Sequence, residues 1–350
     1  MLKYFNYSIL TAIVGLIAAY FWGNYRVPGS GFVALFIVCV LAILETSLSF
    51  DNAVINATKL EKMSKVWQHR FLTWGIIIAV FGMRLLFPIS IVSIFAQLPF
   101  IETAKITLTD VDKYTHYLHL THAPVLFFGA SFLLMLFFHY FFDTKKEIHW
   151  IKFLEKPLAY LGNIKGIETS LTLLTIYIFQ GLLPEESRLA VILAAINGVF
   201  LYLVIHGLSE FMNSHQPNTN SNIINQSFKA GLVSFLYLEL IDASFSLDGV
   251  LGAFALSKDI IIITLGLAIG AMFVRSFTIM LVEKKTLKQY MYLEHGAHWA
   301  IGVLAFIMFY STLHEVPEVV TGLAGLVLIL WAFVSSVIEN KKVKEQNADI

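Results

Sequence analysis

Residues 35–57 read LFIVCVLAILETSLSFDNAVINA. Ten apolar residues lead into Glu45-Thr46-Ser47-Leu48-Ser49-Phe50-Asp51-Asn52 before apolar character resumes. The whole run, residues 31–57, exceeds the roughly 20 residues that a helix needs to cross a bilayer. An acidic side chain near the centre of such a helix costs about 2.5–3.5 kcal/mol on insertion scales. Stability alone would replace Glu45 with Leu, so the stretch reads as a membrane span built around a polar task.

The rest of the chain agrees. Its 350 residues are 57% apolar and only 14% charged, with a mean hydropathy of +0.74. Soluble domains carry about 25% charge. Here the charges cluster between long apolar runs. About ten segments approach spanning length, at 8–23, 31–57, 71–97, 122–142, 169–183, 188–208, 228–256, 260–282, 296–312 and 319–338. The fold class expected is therefore an all-α polytopic membrane protein of about ten transmembrane helices. The first run lacks a small-x-small cleavage pattern, because Tyr20, Phe21 and Trp22 stand where small residues would be, so it reads as a retained span.

Basic residues set orientation. With ten spans both termini share a side, and placing them in the cytoplasm puts 17 of the 24 Lys and Arg inside and 5 outside. The remaining two, Arg84 and Arg275, fall within spans. The lone Cys39 excludes an intrachain disulfide and any Cys/His zinc framework. Zero net charge gives no footprint for nucleic acid. No phosphate loop, nucleophile elbow or HExxH is present, so neither enzymatic activity nor ATP-driven transport is expected of this chain.

A second segment repeats the first. Asp242-Ala-Ser244-Phe-Ser246-Leu-Asp248-Gly249 matches Glu45-Thr-Ser47-Leu-Ser49-Phe-Asp51-Asn52, and the next span of each half carries Arg84 or Arg275. Five spans separate the matching elements, an odd number, so the halves should run in opposite directions. The expectation is two inverted-topology repeats. Residues 1–142 hold the first four helices, 143–168 a cytoplasmic connector, 169–187 the helix closing the first repeat, 188–338 the second repeat and 339–350 a tail. Inverted repeats place substrate near the midplane where they meet. Glu45, Ser49 and Asn52 share a helical face, as do Glu239, Asp242 and Ser246. Local unwinding at the serine runs would bring more ligands to one point. Carboxylates, hydroxyls and an amide without thiolate suit a hard divalent cation. Arg84 and Arg275 could neutralise part of this charge. His116, His119 and His122, with Glu294, His295 and His298 at the matching place, read either as vestibules or as interfacial residues.

The Glu45–Asn52 run resembles the TerC family of integral membrane proteins, marked by an acidic residue, a serine and a DN pair in an early span. The Glu239–Asp248 run resembles that family's second acidic segment, and the likeness covers roughly residues 30–312. It is nearest the larger branch of that family. The resemblance implies a bacterial inner-membrane protein of the wider lysine-exporter superfamily, whose members are associated with tellurium resistance and manganese export. It gives metal roles to Glu45, Asp51, Asn52, Glu239, Asp242 and Asp248, supported by Ser49, Ser246, Arg84 and Arg275. The first span, an outer loop at 98–121 and the connector go beyond the family core. The expected activity is export of a divalent cation, manganese foremost, by alternating access with proton exchange available. No resident cofactor is expected, and the partners are the bilayer, the metal ion and proteins at the connector. The alternatives are a membrane scaffold for a metal-stress complex and an amino-acid exporter.

Overall fold

The computed structural model describes residues 2–61, 63–78, 82, 86–214, 231–240, 242, 253, 256–257, 259–285, 289–314 and 316–348. All regular structure among them is helical. The helices are α1 (Leu2–Arg26), α2 (Gly31–Leu48), α3 (Phe50–Glu61), α4 (Lys65–Ile77), α5 (Phe87–Phe95), α6 (Phe100–Thr109) and α7 (Val111–Phe141). They continue with α8 (Lys152–Leu161), α9 (Ile167–Gly181), α10 (Glu185–Ser214) and α11 (Gly231–Leu240). The last three are α12 (Ile260–Glu283), α13 (Leu293–Ser311) and α14 (Glu318–Ala348).

Five of the described helices are long and apolar enough to cross a membrane, or six if α2 and α3 count as one bent span. Their outward faces are apolar. α1 exposes Leu10, Ile13, Val14, Ile17 and Phe21, and α14 exposes Leu323, Val327, Leu330, Trp331 and Val334. Large apolar surface at helical spacing, turned away from the bundle, needs lipid as its solvent. This is an all-α, multi-pass membrane protein.

Two bundles meet at the α2–α3 break. On one side α1, α2 and α12 pack around Ala19, Val38, Ile262 and Ile269. The approach of α2 to α12 is set by Gly266 and Gly270, four residues apart. A Cβ on Gly266 would strike Leu41, and one on Gly270 would strike Glu45. Small residues at this spacing let membrane helices come close enough for backbone contact. Ser8 Oγ on α1 donates to the Met272 carbonyl at 2.7 Å, and Trp22 Nε1 donates to Asp259, which caps α12. On the other side α7 packs with α9, α10 and α13, and α3 joins them through Val54, Ile55 and Ala57.

Residues 98–121 are not a loop. Pro99 precedes α6, Asp110 caps α7 by accepting from the Lys113 N–H, and Val92, Ile106, Tyr114 and Leu118 form a small core of their own. The helix begins at Val111, while its apolar span-length part, Leu120–Phe141, lies close to the 122–142 read from the sequence. The connector contains α8, and α14 runs on through the tail to Ala348.

Candidate functional site

The axis of α2 turns by 52° into α3, at the serine-rich motif. The break stays hydrogen-bonded: Ser49 N–H donates to the Glu45 carbonyl, and Ala53 N–H to that of Ser49. The Ser49 hydroxyl donates to Glu45 Oε1 at 3.2 Å, satisfying part of a carboxylate that is 2% exposed. One face therefore carries Glu45 on α2, Ser49 at the break, and Asn52 and Asn56 on α3, all buried. Asn52 Nδ2 donates to Asp242 Oδ1, which brings the two acidic motifs into contact.

Glu239 and Asp242 lie on the α11 side, both buried. Gly75 on α4 leaves the room that a side chain would fill: a Cβ there would collide with the Arg275 guanidinium and the Glu239 carboxylate together. The cation of Arg275 and the anion of Glu239 thus meet over one bare point of α4. Arg275 also donates to the Phe71 carbonyl and lies over the Phe71 ring, 4.2 Å from its centroid. Asn56, Phe71, Asp242, Ala271, Arg275 and Thr278 line a small cavity of about 10 Å³, room for roughly one water-sized body. Asn56 Oδ1 in that wall is buried with no hydrogen-bond partner among the described residues. Among those residues no three of Glu, Asp, His and Cys converge as a metal cage. Asp51 lies on α3 with its side chain outside the described residues, and Asp248, Ser246 and Arg84 lie outside them altogether.

The histidines divide. His116 is exposed beside Tyr117, and the His119 side chain is outside the described residues. On α13, His298 Nδ1 donates to the Glu294 carbonyl at 2.8 Å and its ring stacks on Tyr140. His295 Nδ1 lies 2.9 Å from Glu155 Oε2. Glu155, on α8, also accepts from Trp299 Nε1 at 3.0 Å and from the Trp150 and Ile151 N–H groups, and His149 Nδ1 lies 3.8 Å away. Burial pushes the Glu155 carboxyl up, but the bond and charge of His295, then the bonds from Trp299 and Ile151, outweigh it and hold the group down at about 2. Nothing in the sequence singles out Glu155 from other connector acids. Its role arises from α8 folding back onto α13.

With this geometry in place, comparison with known proteins matches residues 50–343 to the family model described as "Protein of unknown function (DUF475)". The chain belongs to the DUF475 family. No curated protein and no solved structure matches it. The DUF475 region takes in Asn52, Asn56, the connector, Glu239, Asp242 and Arg275. Glu45 precedes it by five residues, although its side chain packs against Gly270, which lies within the DUF475 region.

Proposed function

We propose that the chain is a secondary transporter exporting a divalent metal cation, manganese foremost, across a bacterial inner membrane by alternating access. The observation that carries this reading is the seam of three buried carboxylates, Glu45, Glu239 and Asp242, joined by Ser49, Asn52 and Asn56 at a bend between two packed halves. The sequence sets two span arginines, Arg84 and Arg275, against five acids, Glu45, Asp51, Glu239, Asp242 and Asp248, an excess of negative charge that a hard cation or protons would neutralise. Glu45 and Asp242 form the central site with Glu239 beside it, and Asp51 and Asp248 gate the approaches. The small seam cavity suits a stripped ion better than an amino acid.

Ten spans in two inverted repeats, with both termini cytoplasmic, complete the reading. Crossed packing supports the pairing of two related halves. The motif helix α2 of the first half packs on α12 of the second through Gly266 and Gly270, while α11 of the second packs on α4 of the first at Gly75. Aligning Arg84 with Arg275 also aligns Gly75 with Gly266. Kinship to the TerC family belongs to the same proposal.

The test is manganese flux into proteoliposomes under an imposed pH gradient. Wild type should carry it, and Glu45→Ala and Asp242→Ala should abolish it while remaining folded. Normal flux in Glu45→Ala would sink the assignment of the central site. A scaffold role is the second reading, favoured by the apolar face that α8 turns outward through Phe153 and Tyr160, each 77% exposed. It requires a docking function that survives loss of the buried carboxylates and fails when residues 150–165 are deleted.

A further inference from the structure

Residues 152–166 carry four charges, Lys152, Glu155, Lys156 and Lys165. The one carboxylate among them, Glu155, is turned inward and held on α13, while all three lysines are exposed. Helical spacing divides the rest of α8. Pro157 and Tyr160 follow Phe153 at i+4 and i+7, which sets the three within about 40° of one another around the helix. All three are exposed. Lys152 and Lys156 border that row on one side, and Glu155, Leu158 and Ala159 lie at its back, where Leu158 packs on the core with Leu161.

The bare row is continuous with surface that lipid already covers. Trp150, which leads into α8, sets its ring 4.9 Å from that of Trp331 in the outward row of α14. The chain enters α8 soon after the apolar part of α7 ends at Phe141. α8 then folds back on the first turns of α13, where Tyr140 of α7 stacks on His298. It therefore runs at the edge of the bilayer. Its 10 residues rise ~15 Å, half the hydrocarbon thickness, so it lies along that edge and does not cross. Pro157 limits its depth. It offers no N–H to the Phe153 carbonyl one turn back, and a carbonyl without a helical donor belongs among hydrated headgroups, not acyl chains.

We infer that α8 is an interfacial docking helix whose outer face takes an anionic lipid surface. Phe153, Pro157 and Tyr160 enter the headgroup boundary, and Lys152, Lys156 and Lys165 reach lipid phosphates. An apolar row edged by lysines binds a membrane through buried area and through attraction to anionic lipid together. The lysine stems cover apolar surface while their ammonium groups stay wet. With Glu155 pinning its back to α13, the helix ties that end of the bundle to the leaflet. The inference does not depend on what the seam carries. A protein on this face, as the scaffold role needs, is the competing outcome.

The test uses full-length protein in a Cys39→Ser background. Pro157→Cys, labelled with nitrobenzoxadiazole, leaves both aromatic residues in place, and the protein is reconstituted into nanodiscs of phosphatidylcholine mixed with phosphatidylglycerol. Lipids spin-labelled at known depths should quench the probe and place it about 5–10 Å into the headgroup boundary, while aqueous iodide should quench it little. A probe at Glu147→Cys, in the exposed start of the connector, should show the reverse. The Pro157 probe should sit shallower in phosphatidylcholine alone. Lys152→Gln, Lys156→Gln and Lys165→Gln together should abolish the difference between the two membranes. Phe153→Ser with Tyr160→Ser should return the probe to water at an unchanged unfolding temperature, and the lysine variant carries the test if that one does not fold. Full quenching of the Pro157 probe by iodide overturns the inference. So does protection from iodide without quenching by spin-labelled lipid, which gives the face to a protein partner or a second copy. Equal depth in the two membranes overturns the assignment to anionic lipid.

Discussion

Glu45 is held by what its neighbours lack. The α12 backbone comes close enough that a Cβ on Gly270 would lie 2.5 Å from both Cβ and Cγ of Glu45 and 2.9 Å from the Ala42 carbonyl. Gly270→Ala should therefore act as overpacking, costing about 1–3 kcal/mol and pushing the carboxylate off its bond with Ser49. The expected outcome is a lower unfolding temperature in detergent together with loss of manganese flux. Full flux at a lowered unfolding temperature would show that the position of Glu45 is not critical. The sequence made part of this site legible. Glu45, Ser49 and Asn52 share a face by spacing alone, and the structure buries all three. The meeting of Gly75, Glu239 and Arg275 was not legible, because it depends on how α4, α11 and α12 pack, which no local period encodes.

Among the helices, α8 meets α13 through Glu155. Glu155 gathers four donors, from His295, Trp299, Trp150 and Ile151, and pins the connector to α13. Its folded carboxyl, at about 2, lies below its ordinary value of 4.5. The clamp therefore contributes fully above that ordinary value and loses strength as pH falls from there toward 2. Glu155→Gln keeps the shape but removes the charge and turns one acceptor into a donor facing donors. A cost of about 1–3 kcal/mol follows. Trypsin should then cut the connector at Lys145 or Lys152 faster in the variant than in wild type at neutral pH. Equal rates would mean that α8 is held by its apolar contacts. Residues 98–121 show why sequence hid an element. Lys105, Thr107, Thr109 and Asp110 make the stretch too polar to count as a span, yet Ile106, Tyr114 and Leu118 close a small core under it. Helix formation there is settled by tertiary burial, not by an apolar run.

For the molecule as a whole, the inverted relation of the two halves turns on α9. Its 15 residues give a rise of ~23 Å, short of the roughly 30 Å of a bilayer core. The run Leu182-Leu183-Pro184 that follows adds apolar length before Glu185 opens α10. If α9 crosses, five spans separate Glu45 from Asp242 and the two motifs run in opposite directions. If it does not, four spans separate them, the repeats run parallel, and the rocking of inverted halves has no structural basis. The crossed contacts, α2 on α12 and α11 on α4, fit a two-fold axis in the membrane plane and one along its normal equally, so the crossing of α9 decides between them. Lys165 and Glu186 flank this helix and are both exposed. Single cysteines placed there in a Cys39→Ser background should react with a membrane-impermeant maleimide from opposite sides of right-side-out vesicles. Lys165→Cys should be shielded until the membrane is opened, and Glu186→Cys should label at once. Labelling of both from the same side would remove the fifth span and the inverted repeat with it. The carboxylate seam would then have to be understood as a site between two parallel halves, where one static cavity, not two alternating ones, gives access.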